Sequence, residues 1–225
     1  MKNPVFVPNA NAIQSELYRF LKPLGFRKKG RAFNWLASDG LVHVIDLQTG
    51  RYEFGVDVLP GLNRGSFYGL FTINLGVVIP AVCEIEDKAS LGRRDFYQEY
   101  HSQIRARLAS LAFGKDHWWN LALAPKQCSP EIVHLLETHG IPFLNKFQNY
   151  NDIGAYYATT GELPFCNSGR AAFVIGLIKF NQNDLVESRR YFLEAIGHAR
   201  DHRGFREYVT ESAAKLGIEI AATSG

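Results

Sequence analysis

Strand-type patterns are confined to the first 125 residues or so of this chain, and this limits the folds available to it. Two β-rich runs, 31–36 and 41–48, are separated by a segment that contains Asp39-Gly40, and such a pair predicts a β-hairpin. The long apolar run 68–78 predicts a central strand that helices cover on at least one side. We therefore expect an α+β fold with a mainly antiparallel sheet. A further strand or a structured loop is expected over 52–59.

Apolar residues that recur every three or four positions predict helices on both sides of this strand region. The first such helix includes Ile13 and Leu17 and is closed by Pro23 and Gly25. Further helices are predicted over 95–113, 129–140, 151–160, 168–181, 184–200 and 203–216. We expect an α+β domain over 1–125 and a helical region over 126–225, either separate or packed as one unit.

Composition limits the classes of protein to which the chain can belong. Hydrophobic residues make up 46% and charged residues 21%, which is typical of a folded globular protein. The formal net charge of +3 is weaker than the basic excess of most dedicated nucleic-acid binders. The three cysteines are far apart and form no CxxC pair, so we expect a reducing compartment rather than a disulfide framework or a zinc knuckle.

No apolar run suggests a signal peptide or a membrane span. The N-terminal residues MKNPVFVPNANA lack a long apolar stretch, and the most apolar segment, 71–83, contains Asn74 and Pro80. We expect a soluble cytoplasmic protein without membrane contact.

A cationic turn, GFRKKGR over 25–31, is the first candidate site. Arg27, Lys28, Lys29 and Arg31 could surround the backbone amides of a glycine turn and hold a phosphate or an acidic protein face. The simpler interpretation is a helix end and a strand start whose charges protect a sheet edge from unwanted pairing. RNA binding requires exposed aromatic residues beside the basic stripe, whereas Phe33 and Trp35 resemble core residues.

The run Asp116-His117-Trp118-Trp119 is the candidate partner surface. We expect one tryptophan to anchor the last helix of the α+β layer. The other is expected to be exposed, because tryptophan is enriched at the energetic centres of protein interfaces. Trp118, Trp119 and His117 are therefore the predicted partner-binding residues.

Patterns that specify catalysis or metal binding are weak. His198 and His202 are one turn apart, but no third ligand or metalloprotease glutamate accompanies them, so a solvated helix end is expected. The acidic run 84–87 could provide paired carboxylates, although a solvated loop after a strand is the simpler interpretation. The sequence contains no GxGxxG, no P-loop lysine and no GxSxG motif. We predict no catalytic residue, no metal and no cofactor.

Several blocks occur in an order that resembles an uncharacterised bacterial family, domain of unknown function 4304. The resemblance covers about 10–145 and starts with an N-terminal helix. The blocks that follow it are GFRKKGRAF, VIDLQTG with Gln48, FTINLGV and DHWWNL. No reaction, substrate or cofactor is implied by this resemblance. Some members of this kind are said to occur near toxin or defence genes, which implies at most a binding or immunity role.

A second resemblance covers about 168–200, which looks like one tetratricopeptide helical pair. The matching positions are Gly176, Asp184, Ser188, Phe192 and Ala195. Ala172 replaces the usual large aromatic residue, and no closing proline follows Ala199. Because repeat proteins need about three units to bury their faces, we expect this single pair to pack on the α+β layer or to form a dimer.

Taken together, the patterns predict a non-enzymatic bacterial binding protein with an immunity or defence role as one expectation. Its partner is expected to be a protein of unknown identity. One alternative is an RNA- or phosphate-ligand-binding module centred on the cationic turn. Another is a cryptic enzyme that uses Glu84, Glu86, Asp116 or His117. A homodimer through the C-terminal helices is also compatible with the sequence.

Overall fold

The computed structural model describes residues 5–50, 67–86, 95–199 and 202–220. The chain is divided into two compact units. The first takes residues 1–36, 42–77 and 96–145, and the second takes residues 37–41, 78–95 and 146–225. The domain boundary predicted near residue 125 stays a prediction, because a compact unit need not be a domain that folds independently.

The described residues of the first unit form a six-stranded sheet in the order β1-β2-β3-β4-β5, with β6 paired to β4. Its strands are β1 (Arg27–Lys29), β2 (Ala32–Leu36), β3 (Val42–Thr49), β4 (Leu70–Val78), β5 (Ile104–Arg107) and β6 (Trp119–Asn120). The pairs β1–β2, β2–β3, β4–β5 and β4–β6 are all antiparallel. The predicted α+β class with a mainly antiparallel sheet is therefore confirmed.

The predicted hairpin is confirmed as β2 and β3. Phe33 pairs with Ile45 at its centre, and Leu36 pairs with Val42 at its end. Asp39 and Gly40 have φ angles of 55° and 76°, so two consecutive residues adopt the left-handed backbone that closes the turn. Asparagine, aspartate and glycine tolerate this conformation best, which explains why the Asp-Gly pair was informative.

Strand β4 crosses the centre of the sheet, as the apolar run predicts. Every residue from Phe71 to Val78 is buried. A parallel bridge joins Gly50 to Tyr68 and links the ends of β3 and β4. The strand or loop predicted over 52–59 lies outside the described residues.

Helix α1 (Phe6–Leu21) leads directly into the cationic turn. The apolar face of α1 is buried through Ile13, Leu17 and Leu21. Gly25 has a φ angle of 90°, which reverses the chain after the helix, and Gly30 has a φ angle of 61° between β1 and β2. The predicted helix end and strand start are both present, and β1 forms the edge of the sheet.

The helix predicted over 95–113 is wrong. The segment forms a single 3₁₀ turn at Glu99–His101, then β5, and only then the short helix α3 (Leu108–Phe113). Ile104 and Ala106 are buried, whereas Arg105 and Arg107, which alternate with them, are half-exposed. This is the two-residue period of a strand. Pairing with the open edge of β4 outweighs the weak helical spacing.

Residues 125–144 form a helix with one irregular turn, where a helix over 129–140 was predicted. Helix α4 (Pro125–Leu135) begins with proline at its first position and includes Pro130 in its interior. A π-helical turn at Leu136–Gly140 then joins α4 to α5 (Ile141–Leu144). Gly140 does not end the helix. It allows close contact instead, since a Cβ atom there would lie 3.0 Å from Leu136 and 3.2 Å from Leu108.

The second unit is helical, with five helices among its described residues. They are α2 (Pro80–Glu86), α6 (Tyr150–Thr160), α7 (Ser168–Asn181), α8 (Leu185–His198) and α9 (Arg203–Lys215). Asn149, Asn167 and Asp184 cap α6, α7 and α8 through side-chain hydrogen bonds. The four long helices, α6 to α9, agree with the sequence prediction. Helix α2 takes the place of the solvated loop expected at the acidic run.

Helices α7 and α8 form an intimately packed pair. The Ser188 hydroxyl donates to the Gly176 carbonyl oxygen at 2.8 Å, and Phe192 packs against the same glycine. The likeness of this pair to a tetratricopeptide unit remains a prediction. In the part of the chain that the structure describes, no helix combines the length and apolar character needed to cross a bilayer.

Candidate functional site

The sheet of the first unit has one apolar and one polar face. Residues that pair directly in antiparallel strands project from the same face. Phe71 and Trp119 form such a pair on the apolar face. Asn74 and Arg107 form a pair on the opposite, polar face. Polar side chains in the middle of a sheet are candidates for recognition because packing does not require them there.

Five residues on and beside the polar face form a connected row, which we call the Trp118 strip. The Asn74 amide donates to Gln48 Oε1 at 2.7 Å, which joins β4 to β3. Arg107, the strand partner of Asn74, forms an ion pair with Asp116. Trp118 completes the row by donating from its indole nitrogen to Asp116 Oδ2 at 3.1 Å.

Trp118 is half-buried and its ring has three fixed neighbours. Besides the bond to Asp116, the Arg107 guanidinium lies 5.3 Å from the ring centroid. The Phe67 ring lies 4.5 Å away on a tilted plane, and Phe67 is itself exposed. These neighbours therefore set the side-chain rotamer of Trp118 before any partner binds, and the ring provides the strip with an aromatic surface.

Trp119 has a different position from its neighbour. It is only 4% exposed, it packs on Phe71, and its indole nitrogen lies 3.3 Å from a Glu131 carboxylate oxygen on α4. Trp119 is thus the tryptophan that ties β6 to the helical layer. His117 is exposed and packs edge-on against Trp119 and Phe113.

Charged groups beside the strip are mostly paired. Arg105 holds the buried Glu99 carboxylate through two hydrogen bonds. Burial, and then the neighbouring Glu99 carboxylate, raises the pKa of Asp46 on β3 to about 6, although Arg31 acts in the opposite direction. Arg105 and Arg107, the two arginines of β5 on this face, therefore each have a carboxylate partner.

The structure divides the cationic turn among different surroundings. Arg27 and Lys29 alternate with Lys28 along β1, so they project from one face of this exposed edge strand. Lys28 projects from the other face, where its ammonium lies 5.9 Å from the Tyr18 ring centroid. Arg31 donates to the Thr49 hydroxyl on β3. Anion binding by these four residues remains a prediction.

The other sequence candidates have structural partners. Glu86 ends α2 and receives two hydrogen bonds from Arg170 and one from the Tyr208 hydroxyl, while Glu84 is exposed. His198 is the last residue of α8 and His202 precedes α9, so the two histidines do not share one helix. Among the described residues, no three His, Cys, Asp or Glu side chains are gathered as metal ligands.

Trp118 is predictable from the sequence, whereas the rest of the strip is not predictable as a unit. Gln48 and Asn74 lie in two of the blocks that support the family resemblance, but nothing in their spacing indicates that they are hydrogen-bonded. Arg107 was assigned to a helix. Its true position could have been found from the alternation of arginines with apolar residues over 104–107.

Comparison with known proteins identifies the region that holds most of this strip. Residues 61–146 match the family described as domain of unknown function (DUF4304). The predicted family resemblance is confirmed over this region. The DUF4304 region includes Asn74, Arg107, Asp116 and Trp118, whereas Gln48 precedes it. No curated protein and no solved structure matches the chain significantly.

Proposed function

We propose that the chain is a non-enzymatic binding protein that contacts a protein partner through the Trp118 strip. The observation that carries this proposal is the arrangement of Trp118, which is partly exposed and held by Arg107, Asp116 and Phe67. Tryptophan and arginine dominate the energetic centres of protein interfaces. A side chain that is already fixed loses little conformational entropy when a partner binds.

The charge pattern favours a protein partner over a nucleic acid. Arg107 is paired with Asp116, and Arg105 is paired with Glu99. Asp46 adds an ionisable carboxyl on the same face. Phosphate backbones are bound mainly by uncompensated lysine and arginine side chains, so a nearly neutral strip fits a protein surface better.

The chemistry of the strip favours binding over catalysis. Its accessible groups are the Gln48 amide, the Arg107–Asp116 ion pair and the Trp118 indole, and these groups recognise hydrogen-bonding partners and apolar groups. Asn74 is buried and holds Gln48 in place. Within this proposal, a bacterial immunity or defence partner is the expectation that the family resemblance adds. A cytoplasmic location is proposed from the sparse cysteines.

Affinity capture from cells of the source organism tests the proposal. Baits should be the wild-type chain, Trp118→Ala and Tyr100→Ala, compared by quantitative mass spectrometry. Tyr100 is the matched control because it is an aromatic residue of the same unit that is 69% exposed and lies outside the strip. We expect Trp118→Ala to reduce captured partner by at least about tenfold. Equal capture by all three baits contradicts the proposal.

The second candidate function is anion binding at the sheet edge. It is favoured by one observation, that Arg27 and Lys29 share a face of an exposed edge strand. The double variant Arg27→Ala with Lys29→Ala should then abolish a salt-sensitive affinity for a phosphorylated ligand. An anion affinity that the double variant retains argues against this candidate.

A further inference from the structure

Helix α8 in the second unit has a second, outward surface that is apolar. Leu185, Val186 and Leu193 are all exposed, and Val186 at 80% is the most exposed large hydrophobic residue in the part of the chain that the structure describes. Together with Arg189 and Arg190 they line a shallow groove of about 360 Å³. We call this surface the Val186 groove.

The groove is separate from the face that α8 uses for packing. Ser188, Phe192 and Ala195 are fully buried and lie on the side of α8 that contacts α7. Val186 contributes almost no buried area to this contact. An isolated exposed apolar residue is ordinary, but three that border one groove on one helix form a contiguous apolar patch of the kind found at binding surfaces.

Charge distinguishes the kind of partner that the Val186 groove accepts. Arg190 donates to the Glu187 carboxylate and forms a second ion pair with Glu194. Arg189 instead donates from Nε to the main-chain carbonyl oxygen of Glu219 at 2.9 Å. Within the described ranges no carboxylate forms an ion pair with Arg189. Among the described residues, the groove therefore has a positive charge between its apolar ends that no carboxylate compensates.

We propose that the Val186 groove binds an amphipathic helix of a partner protein that places a carboxylate between two apolar residues. Val186 and Leu193 are seven residues apart, which is about 10 Å along a helix at about 1.5 Å per residue. A partner helix reproduces this span with apolar residues at positions i and i+7. Its glutamate or aspartate at i+3 or i+4 then faces Arg189. This proposal does not rest on the Trp118 strip.

A displayed library of helical peptides tests the proposal. The peptides carry leucine at i and i+7, with all residues allowed at i+3 and i+4, and are selected on the full wild-type chain. We expect enrichment of glutamate and aspartate at the two variable positions. Selected peptides should bind Val186→Asp at least about tenfold more weakly. Selection on Arg189→Glu should enrich lysine and arginine instead.

Phe165→Asp is the matched control, because Phe165 is 74% exposed in the same unit but outside the groove. It should leave peptide binding unchanged, and circular dichroism should show that each variant is folded. The proposal is overturned if no peptide is enriched, if the central positions show no acidic preference, or if Val186→Asp binds normally.

Two other occupants would also overturn it. A concentration-dependent dimer of the wild-type chain that Val186→Asp dissociates, seen by light scattering, would assign the groove to a second copy. Sedimentation with phosphatidylcholine–phosphatidylserine vesicles that depends on Val186 would assign it to a membrane surface. We expect the wild-type chain and the Val186→Asp variant to give the same result in both measurements.

Discussion

For single residues, the clearest effects on stability are expected from half-buried charged groups, which are Arg170 and Glu86 in the second unit and Asp46 in the first. Arg170 is half-buried and meets Glu86 through two hydrogen bonds, and Tyr208 donates to the same carboxylate at 3.1 Å. Burial lowers the pKa of Arg170, but the hydrogen bonds and charge of Glu86 outweigh burial and raise it. The Glu86 carboxylate on α2 therefore links this helix to α7 through Arg170 and to α9 through Tyr208.

Glu86→Gln should destabilise the protein by about 2 kcal/mol, because it leaves the Arg170 charge poorly compensated in a partly buried site. Urea unfolding measures this free energy. Glu84→Gln is the matched control, since Glu84 lies on the same helix and is exposed, and its effect should stay within about 0.5 kcal/mol. Equal stability of the two variants would show that the Arg170–Glu86 pair contributes nothing.

Asp46 should make stability fall as pH rises. The pKa of Asp46 is about 6 in the folded chain and about 3.9 in an unfolded chain. Between these values the folded state holds a proton that the unfolded state has lost, so the free energy of unfolding decreases through this window and is then level.

Asp46→Asn removes this penalty and should stabilise the protein by about 1 to 2 kcal/mol at pH of about 7, with little effect near pH 4. Urea unfolding of both proteins at several pH values tests this. A variant whose advantage does not change between these pH values would contradict the raised pKa of Asp46.

At the scale of helices and strands, the sequence predicted elements where local pattern and tertiary packing agree. The β2–β3 hairpin and helices α6 to α8 have strong turn or cap residues, such as Asp39 and Asp184, at their ends. The segment 95–113 was mispredicted because β5 is short and is held by an edge of β4 that is distant in sequence. The Trp118 strip was missed for the same reason, since its contacts join residues as distant in sequence as Asn74 and Arg107, which are 33 positions apart.

The glycines of α7 and α8 test the packing of this pair. A Cβ atom at Gly176 would lie 2.8 Å from the Phe192 ring, which is fully buried. Gly176→Ala should therefore cost about 2 kcal/mol in unfolding free energy. A Cβ atom at Gly197 would meet no atom within 4 Å, so Gly197→Ala should stabilise by about 0.5 kcal/mol through its higher helix propensity. Chemical denaturation that gives both variants the same sign would contradict this packing.

At the scale of the whole molecule, charge argues against nucleic acid as the main partner. The net charge is only +3, and several arginines are paired with carboxylates. We expect a dissociation constant for a single-stranded RNA oligonucleotide of about 10⁻⁴ M or weaker at physiological salt, which is the weak limit of non-specific nucleic-acid binding. Fluorescence anisotropy tests this. A micromolar affinity that falls steeply with salt, and that Arg27→Ala with Lys29→Ala abolishes, would favour the anion-binding alternative.

In the proposed complex, Trp118 rather than the buried Trp119 contacts the partner. The chain contains three tryptophans, so labelling with 5-fluorotryptophan gives three ¹⁹F NMR signals, which Trp118→Phe and Trp119→Phe assign. When the captured partner is added to saturation, we predict that the Trp118 signal shifts or broadens while those of Trp35 and Trp119 change little. A saturated complex in which the Trp118 signal stays unchanged would contradict the proposed function.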